Sequence, residues 1–309
     1  MQILDFHTHI GDILRINGES LIGQHKPFQY GFDPDAPFRR IRYHGQAAAE
    51  ALYRLEPLAR ALARAERRRN ECATLENHAW QRNEAGVGLA CVMPVAPHVT
   101  FAAVAEAAKR EPGLLAFGSV DFTRGQIGRQ VEEQLGQGAW GFKLHPILQK
   151  VAPDGQAVQA FLQACPDGCV ILMHTGVSCY YAREERDRER PEYGAVGPLV
   201  RLAAQHRRLR FVAAHGGLDE YRTLARGLEE LDNLYADTSF LPAGRLRLFR
   251  RAAGWRRLLF ASDWPYGFAR TSLACLEEAF GRERPVMEDI LSGNGAALLL
   301  SANPDKTLP

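Results

Sequence analysis

Two rhythms of apolar and polar residues trade places along the chain. Short apolar runs, rich in Val, Ile, Leu and Phe, read QILDFHTH, GLACVMPV, LLAFGSVDF, WGFKLHPI, VILMHTGV, RFVAAHGG, NLYADTSF and RLLFASDW. Runs of this length bounded by turn residues predict strands buried on both faces. Between them, apolar residues recur three and four positions apart over residues 101–110, 125–135, 157–165, 198–206, 220–231, 245–253 and 272–280, which predicts amphipathic helices. Eight β-then-α repeats in order fit an α/β fold of the (β/α)8 TIM-barrel type better than an open, doubly wound sheet. The open-sheet alternative also lacks its strongest signal, since no GxGxxG or GxxxxGK[ST] phosphate loop follows any strand.

Breaks in the rhythm place the insertions. Residues 285–300 begin with Pro and carry apolar residues at helical spacing, predicting a closing helix packed on the barrel. Residues 11–43 form an unusually long connection leading into an arginine-rich helix near 46–69, so 11–80 reads as a loop plus helical insertion after strand one. Residues 178–196 form a second long connection whose evenly mixed charges suggest a solvated lid. Both leave the C-terminal ends of strands, the face on which barrel enzymes build their sites. With no linker or low-complexity tract, residues 1–309 read as one domain.

Composition narrows the partners. The 309 residues are 46% hydrophobic, enough for a sizeable core, and 38 basic against 36 acidic residues leave a net charge of only +2. Those charges are spread along the chain, which argues against nucleic acid or a membrane surface and for a small-molecule substrate. The opening MQILDFHTHI has no basic and apolar leader, and no run of about 18 apolar residues occurs, so the expected location is cytoplasmic. A homo-oligomer is compatible with this composition. Six cysteines are too few and too scattered for a disulfide framework, and Cys165 and Cys169, spaced CxxxC, read as ordinary buried or loop thiols. Only five of the basic residues are lysines, which singles out Lys143 inside an apolar run.

Candidate chemistry gathers at strand ends. The ionisable residues there are His7 and His9 on the first strand, His145 on the fourth, His174 on the fifth, His215 on the sixth and Asp263 on the eighth. In a barrel these ends converge on one mouth. Residues i and i+2 of a strand point the same way, so the HxH spacing turns both imidazoles inward, where one small cation can hold them. A single histidine near a strand end is more often a hydrogen-bonded structural residue. The HxH pair, His174, His215 and Asp263 together, on four strands, read as a coherent metal site.

These motifs resemble the amidohydrolase superfamily, and within it the amidohydrolase-related branch that includes aminocarboxymuconate-semialdehyde decarboxylase. The resemblance rests on DFHTH, HTG, AHGG and ASDWP after strands one, five, six and eight, and on the terminal SGNGAALLL. It implies that His7, His9, His174 and Asp263 bind one divalent metal, most often zinc with manganese possible, and that His215 acts on the substrate or water. Asp263 is then both ligand and general base. Some binuclear relatives carry a carboxylated lysine on strand four, so a second metal through a carboxylated Lys143 stays open. The competing expectation puts Lys143 one layer deeper, paired with Asp5, with His145 binding substrate.

Asp121 and Asp237 read as loop-capping or supporting residues, and Trp264 and Pro265 as the turn that presents Asp263. The first loop carries Arg15, His25, Lys26, Arg39, Arg40, Arg42, Tyr43 and His44 against Asp12, Glu19, Asp33 and Asp35, a pattern read mainly as solvated loop. The leading functional expectation is a metal-dependent hydrolase, in which metal-activated water attacks a C–N or C–O bond of a small polar amide, lactam, lactone or ester. The alternative with the same residues is a nonoxidative decarboxylase of a small carboxylic acid. A barrel without catalysis, serving as a scaffold, is disfavoured because every expected ligand is present.

Overall fold

The alternation becomes a ring of strands wrapped by helices. A computed structural model describes residues 2–15, 18–28 and 55–309, so the expectations for Arg39, Arg40, Arg42, Tyr43, His44, Asp33, Asp35 and the first part of the arginine-rich helix lie outside the described residues. In chain order the elements are β1 (Ile3–Thr8), α1 (Glu56–Asn70), α2 (Leu75–Ala85), β2 (Val87–Val92), α3 (Phe101–Arg110), β3 (Leu114–Ala116), α4 (Ile127–Gly136) and β4 (Phe142–Leu144). They continue with α5 (Pro146–Gln149), α6 (Gln156–Ala164), β5 (Val170–Met173), α7 (Val196–Gln205), β6 (Arg210–Ala213), α8 (Tyr221–Glu230) and β7 (Leu234–Asp237). Last come α9 (Ala243–Ala253), β8 (Leu258–Leu259), α10 (Ala269–Phe280), α11 (Arg284–Glu288) and α12 (Asn294–Ala302).

All strand pairs are parallel, in the orders β1-β2-β3 and β4-β5-β6-β7-β8. Backbone hydrogen bonds span both gaps between these groups. Gly118 N donates to Gly141 O and Lys143 N to Gly118 O, each at 2.8 Å, joining the chain after β3 to β4. At the other seam Phe6 N donates to Phe260 O, Asp263 N to His7 O and His9 N to Trp264 O, at 2.8, 2.8 and 2.7 Å. The (β/α)8 expectation therefore stands, and the second seam fixes Asp263 beside the two histidines of β1.

Local chemistry accounts for individual elements. In α3, Thr100 caps the N-terminus by accepting from Ala103 N, Phe101, Val104 and Ala107 form the buried stripe, and Lys109 and Arg110 complement the negative end of the helix dipole. Helix α2 escapes a periodicity reading because its inward face is polar: Asn77, His78, Gln81 and Arg82 are buried. Its ends are nonetheless written in the sequence, in the Thr74 cap and in Gly86, whose φ of 67° suits a residue without Cβ. The expected closing helix is present as α11 and α12, which run on through a π-helical turn at Asp289–Gly293 without leaving helical backbone. Leu298 and Leu299 of α12 join Leu4, Phe6, Phe117, Leu172 and Val212 in one buried cluster. Asn303 and Lys306 then bond carbonyls of Trp140, Gly138 and Ala139 before β4, so this segment caps the N-terminal end of the barrel.

The connection after β5 is built rather than loose. Its tyrosines Tyr180 and Tyr181 are buried, and so is Glu189, whose carboxylate accepts from Tyr180 N at 2.8 Å and Tyr181 N at 3.3 Å. The cysteines are free, with Cys165 and Cys169 buried as ordinary thiols. No helix among the described residues is long and apolar enough to cross a membrane.

Candidate metal centre

Three atoms that could hold a metal ion meet at the C-terminal end of the barrel. His7 Nε2 and His9 Nε2 are 3.1 Å apart, and Asp263 Oδ1 lies 3.2 Å from the first and 3.3 Å from the second. The outer nitrogens decide what the inner ones can be. His9 Nδ1 donates to the Met93 carbonyl at 2.6 Å and His7 Nδ1 to Asp237 Oδ2 at 2.8 Å, which leaves both Nε2 atoms as bare lone pairs. Two lone pairs and a carboxylate oxygen that close, in a site with almost no solvent, repel unless positive charge lies beside them; Lys143 Nζ, 2.9 Å from His7 Nε2, supplies one such charge and a bound metal ion would supply another. Ligands about 2.0–2.1 Å from a metal ion, at tetrahedral or octahedral angles, stand about 2.9–3.4 Å from one another, the spacing observed here. The donor set fits a divalent cation.

Burial, followed by the nearby Lys143 ammonium, holds the proton affinity of His7 and His9 well below the ordinary histidine range, so both stay neutral as ligands must. Asp237, read from sequence as a supporting residue, fills that role: one oxygen accepts from His7, and the other accepts from Ser239 Oγ at 2.6 Å and His215 N at 2.9 Å. Burial pushes its carboxyl up to about 6. Asp121, in contrast, caps its own loop, accepting from Thr123 N and Oγ1.

The expected pairing of Lys143 with Asp5 does not occur. Lys143 Nζ reaches His7 Nε2 at 2.9 Å, while Asp5 Oδ1 accepts from Ser262 N at 2.9 Å and His7 N at 3.3 Å. Asp5 is too short to leave the backbone that surrounds it, and it serves to tie β1 to the chain after β8. The four-carbon stem of lysine carries its amine up to the ligand layer instead. Burial lowers the ammonium to about 8, opposed by Asp263 and Asp237.

His174 and His215 form a neighbouring pair, with His174 Nδ1 and His215 Nε2 3.2 Å apart. The Gly176 carbonyl accepts from His174 Nε2 at 3.1 Å, and His215 Nδ1 bonds Ser239 Oγ at 2.9 Å. Among the described residues two groups of donors lie close enough to hold an ion, His7, His9 and Asp263 and also His7, His215 and Asp237, and His174 stands beside both rather than within either. Burial and then Lys143 lower His174 to about 3. His145 stacks on His174, ring centroids 4.1 Å apart and nearly parallel, with its backbone N–H fixed by Gln149 Oε1. It thus lines the site as a wall residue, open toward a ligand.

The backbone at two of these positions is strained. His215 and Asp263 have φ of 58° and 56°, left-handed values unusual for residues with a Cβ. The AHGG motif makes the first possible, because Gly216 and Gly217 continue in the same region, and a Cβ on Gly216 would come within 2.7 Å of Leu241 and Phe249 side chains.

Above the ligands lies a chamber of about 250 Å³. His145, His174, His215, Lys143 and Asp263 form its polar end, while Leu14, Leu62, Leu218 and Phe240 supply apolar wall. Two tyrosines that the sequence reading passed over also line it. Tyr266 stands three residues beyond Asp263 and donates to Asn70 Oδ1 at 2.8 Å; Tyr180 Oη is 3.4 Å from His174 Nε2. The adjacent tyrosines of the second loop were the available signal, an aromatic pair in an otherwise charged segment.

No curated protein matches the chain. Among solved structures it is similar to an uncharacterized TIM-barrel protein from Bordetella bronchiseptica, at 18% identity and TM-score 0.63, covering 98% of this chain and 99% of that one. It is also similar to a manganese-bound 5-carboxyvanillate decarboxylase from Novosphingobium aromaticivorans, at 14% identity and TM-score 0.58, covering 96% of each chain. A probable 2-pyrone-4,6-dicarboxylic acid hydrolase from Acinetobacter baumannii matches at 14% identity and TM-score 0.56, over 97% and 99% of the two chains. Identities this low establish the shared barrel. The family model described as amidohydrolase matches residues 5–300, the span that carries β1 to α12 and every donor at the mouth. This chain belongs to the amidohydrolase family and is one of its metal-dependent enzymes.

Proposed function

We propose that this enzyme releases CO2 from a small carboxylic acid with a largely apolar body. The observation that carries the reading is the polarity of the chamber. Its buried end holds Lys143, the only lysine or arginine among its described lining residues, much of its wall is apolar, and two carboxylates of α1, the exposed Glu56 and the half-buried Glu66, also line it. An acid entering such a space is stabilised with its carboxylate inward and its apolar body against Leu62, Leu218 and Phe240.

His7, His9 and Asp263 would hold one divalent ion, with His174 as the remaining ligand of the motif; zinc suits these nitrogen and oxygen donors, and manganese is the second candidate. When bound, the ion supplies Lewis-acid polarisation of a substrate oxygen. Lys143 draws the carboxylate to the same place by charge. The apolar walls exclude water, which favours neutral CO2 over the carboxylate it replaces. As the carbon–carbon bond breaks, CO2 leaves and the electron pair stays on carbon, which takes up one proton. His215 and Asp263, with Nδ1 and Oδ2 3.7 Å apart, are the groups that hold and deliver it. The balance is R–COO⁻ + H⁺ → R–H + CO2. Two named structural neighbours, 5-carboxyvanillate decarboxylase and 2,6-dihydroxybenzoate decarboxylase, act on carboxylated aromatics by their names, which supports the reading.

Hydrolysis is the second reading, favoured by the same His215 and Asp263 pair, which would take the proton of an attacking water. A substrate panel separates the two: metal-loaded protein offered aromatic and enoic acids should release CO2, measured by coupled carbonate assay. Hydrolysis of a lactone, amide or ester with no CO2 from any acid would overturn the first reading in favour of the second.

A further inference from the structure

A second cavity, of about 410 Å³, opens on the same end of the barrel beside the catalytic chamber. Leu14 lines both, and the consecutive residues Tyr180 and Tyr181 line one each. Phe122 and Tyr181 give the second cavity apolar wall, and its polar lining includes Lys150, Arg188 and His98. None of these three takes part in the metal centre.

The charges around it do not cancel. Lys150 is exposed, held in a left-handed conformation with φ of 55° at the end of α5, and has no ion-pair partner among the described residues. Glu185 is one carboxylate shared by two guanidiniums, Arg188 at 3.2 Å and Arg67 at 3.1 Å. Asp121 acts on His98, and its carboxylate already accepts from Thr123; on the Tyr181 side Asp12 is paired with Arg15, and Glu189 accepts from the amides of Tyr180 and Tyr181. His98 reports the resulting field. Its proton affinity is lowered first by burial and then by Lys150 and Arg188, against the Arg15 carbonyl and Asp121, and its buried Nδ1 has no hydrogen-bond partner. Two cationic side chains, Lys150 and Arg188, and the aromatic rings of Phe122 and Tyr181 line one concave space.

We propose that this cavity is an anion-binding site, separate from the metal centre, that takes the carboxylate or phosphate group of a small molecule. Lys150 and Arg188 supply charge-assisted hydrogen bonds, and Phe122 and Tyr181 contact the body that carries the anion. The inference does not depend on the reaction assigned to the metal centre.

The test is an NMR titration of the histidine side chains of the full-length protein as purified, with inorganic phosphate and, separately, benzoate. Binding in the second cavity raises the midpoint at which His98 takes up its proton. Lys150→Ala and Arg188→Ala, both changes at exposed positions, should each weaken the response about tenfold or more, while His9→Ala retains it. The anion that binds more tightly identifies the group the site takes. An unmoved His98 in tens of millimolar of either anion would overturn the proposal. So would a wild-type response in Lys150→Ala, or a response lost in His9→Ala, which would put the anion at the metal centre.

Discussion

Asp237 does not touch the space between the ligands, yet it settles what His7 can do. By accepting from His7 Nδ1 it leaves Nε2 bare, and through its other oxygen it holds Ser239 and the backbone of His215. Asp237→Asn keeps the shape but can present an N–H to His7 Nδ1, favouring the wrong tautomer. Metal affinity should fall about 10–100-fold, measured by competition with a chromophoric chelator. At this scale the sequence is most informative where spacing fixes direction. The i, i+2 relation of His7 and His9 is enough to turn both inward, and the observed triangle with Asp263 bears this out. The partner of Lys143 was not legible, because it depends on how far a flexible stem extends and on backbone N–H groups of Ser262 and His7 that claim Asp5 first.

Elements bring these residues to one mouth, and two contacts hold the insertions in place. Glu189 is a buried carboxylate that costs several kcal/mol to desolvate, offset by the amides of Tyr180 and Tyr181. Glu189→Ala should release both amides, seen as faster hydrogen–deuterium exchange across residues 178–196 with the barrel strands unchanged. The arginine-rich character of α1 suggests a solvated face, yet Arg69 is fully buried, its guanidinium 4.0 Å from the ring centre of Phe268 and 5.4 Å from those of Phe28 and Trp264. This docks α1 on the turn that follows Asp263. Arg69→Ala should lower the unfolding free energy by about 3 kcal/mol, whereas Arg64→Ala should stay within about 0.5 kcal/mol, by denaturant titration. Charge patterning alone could not separate these arginines, since burial is decided by aromatic rings up to 199 positions away. The same limit hid α2, whose inward residues are polar, and the π-helical turn that lies within the closing segment.

For the whole molecule, order along the chain was the legible part. Eight alternations in sequence admit few topologies, and right-handed βαβ connections reduce them to a barrel whose strand ends must converge. What the alternation cannot give is the contents of the mouth: a chamber with Lys143 and the histidines at one end and leucines and Phe240 on its walls, and a second cavity beside it lined by Lys150 and Arg188. Because the proposed ligands come from β1 and from the chain beyond β8, an ion held by them would staple the closing seam of the barrel. Binding to the folded state alone should stabilise it by about 4 kcal/mol at a thousandfold excess over Kd, so chelation should lower Tm and added zinc or manganese should restore it. The central claim is that His7, His9 and Asp263 anchor a single divalent ion. Metal content per chain tests it most directly, in wild type, in Asp263→Ala and in Lys143→Ala. The account predicts one equivalent in wild type, almost none in Asp263→Ala, and one equivalent still in Lys143→Ala. Two equivalents falling to one in Lys143→Ala, or an Asp263→Ala protein that holds metal as tightly as wild type, would contradict it.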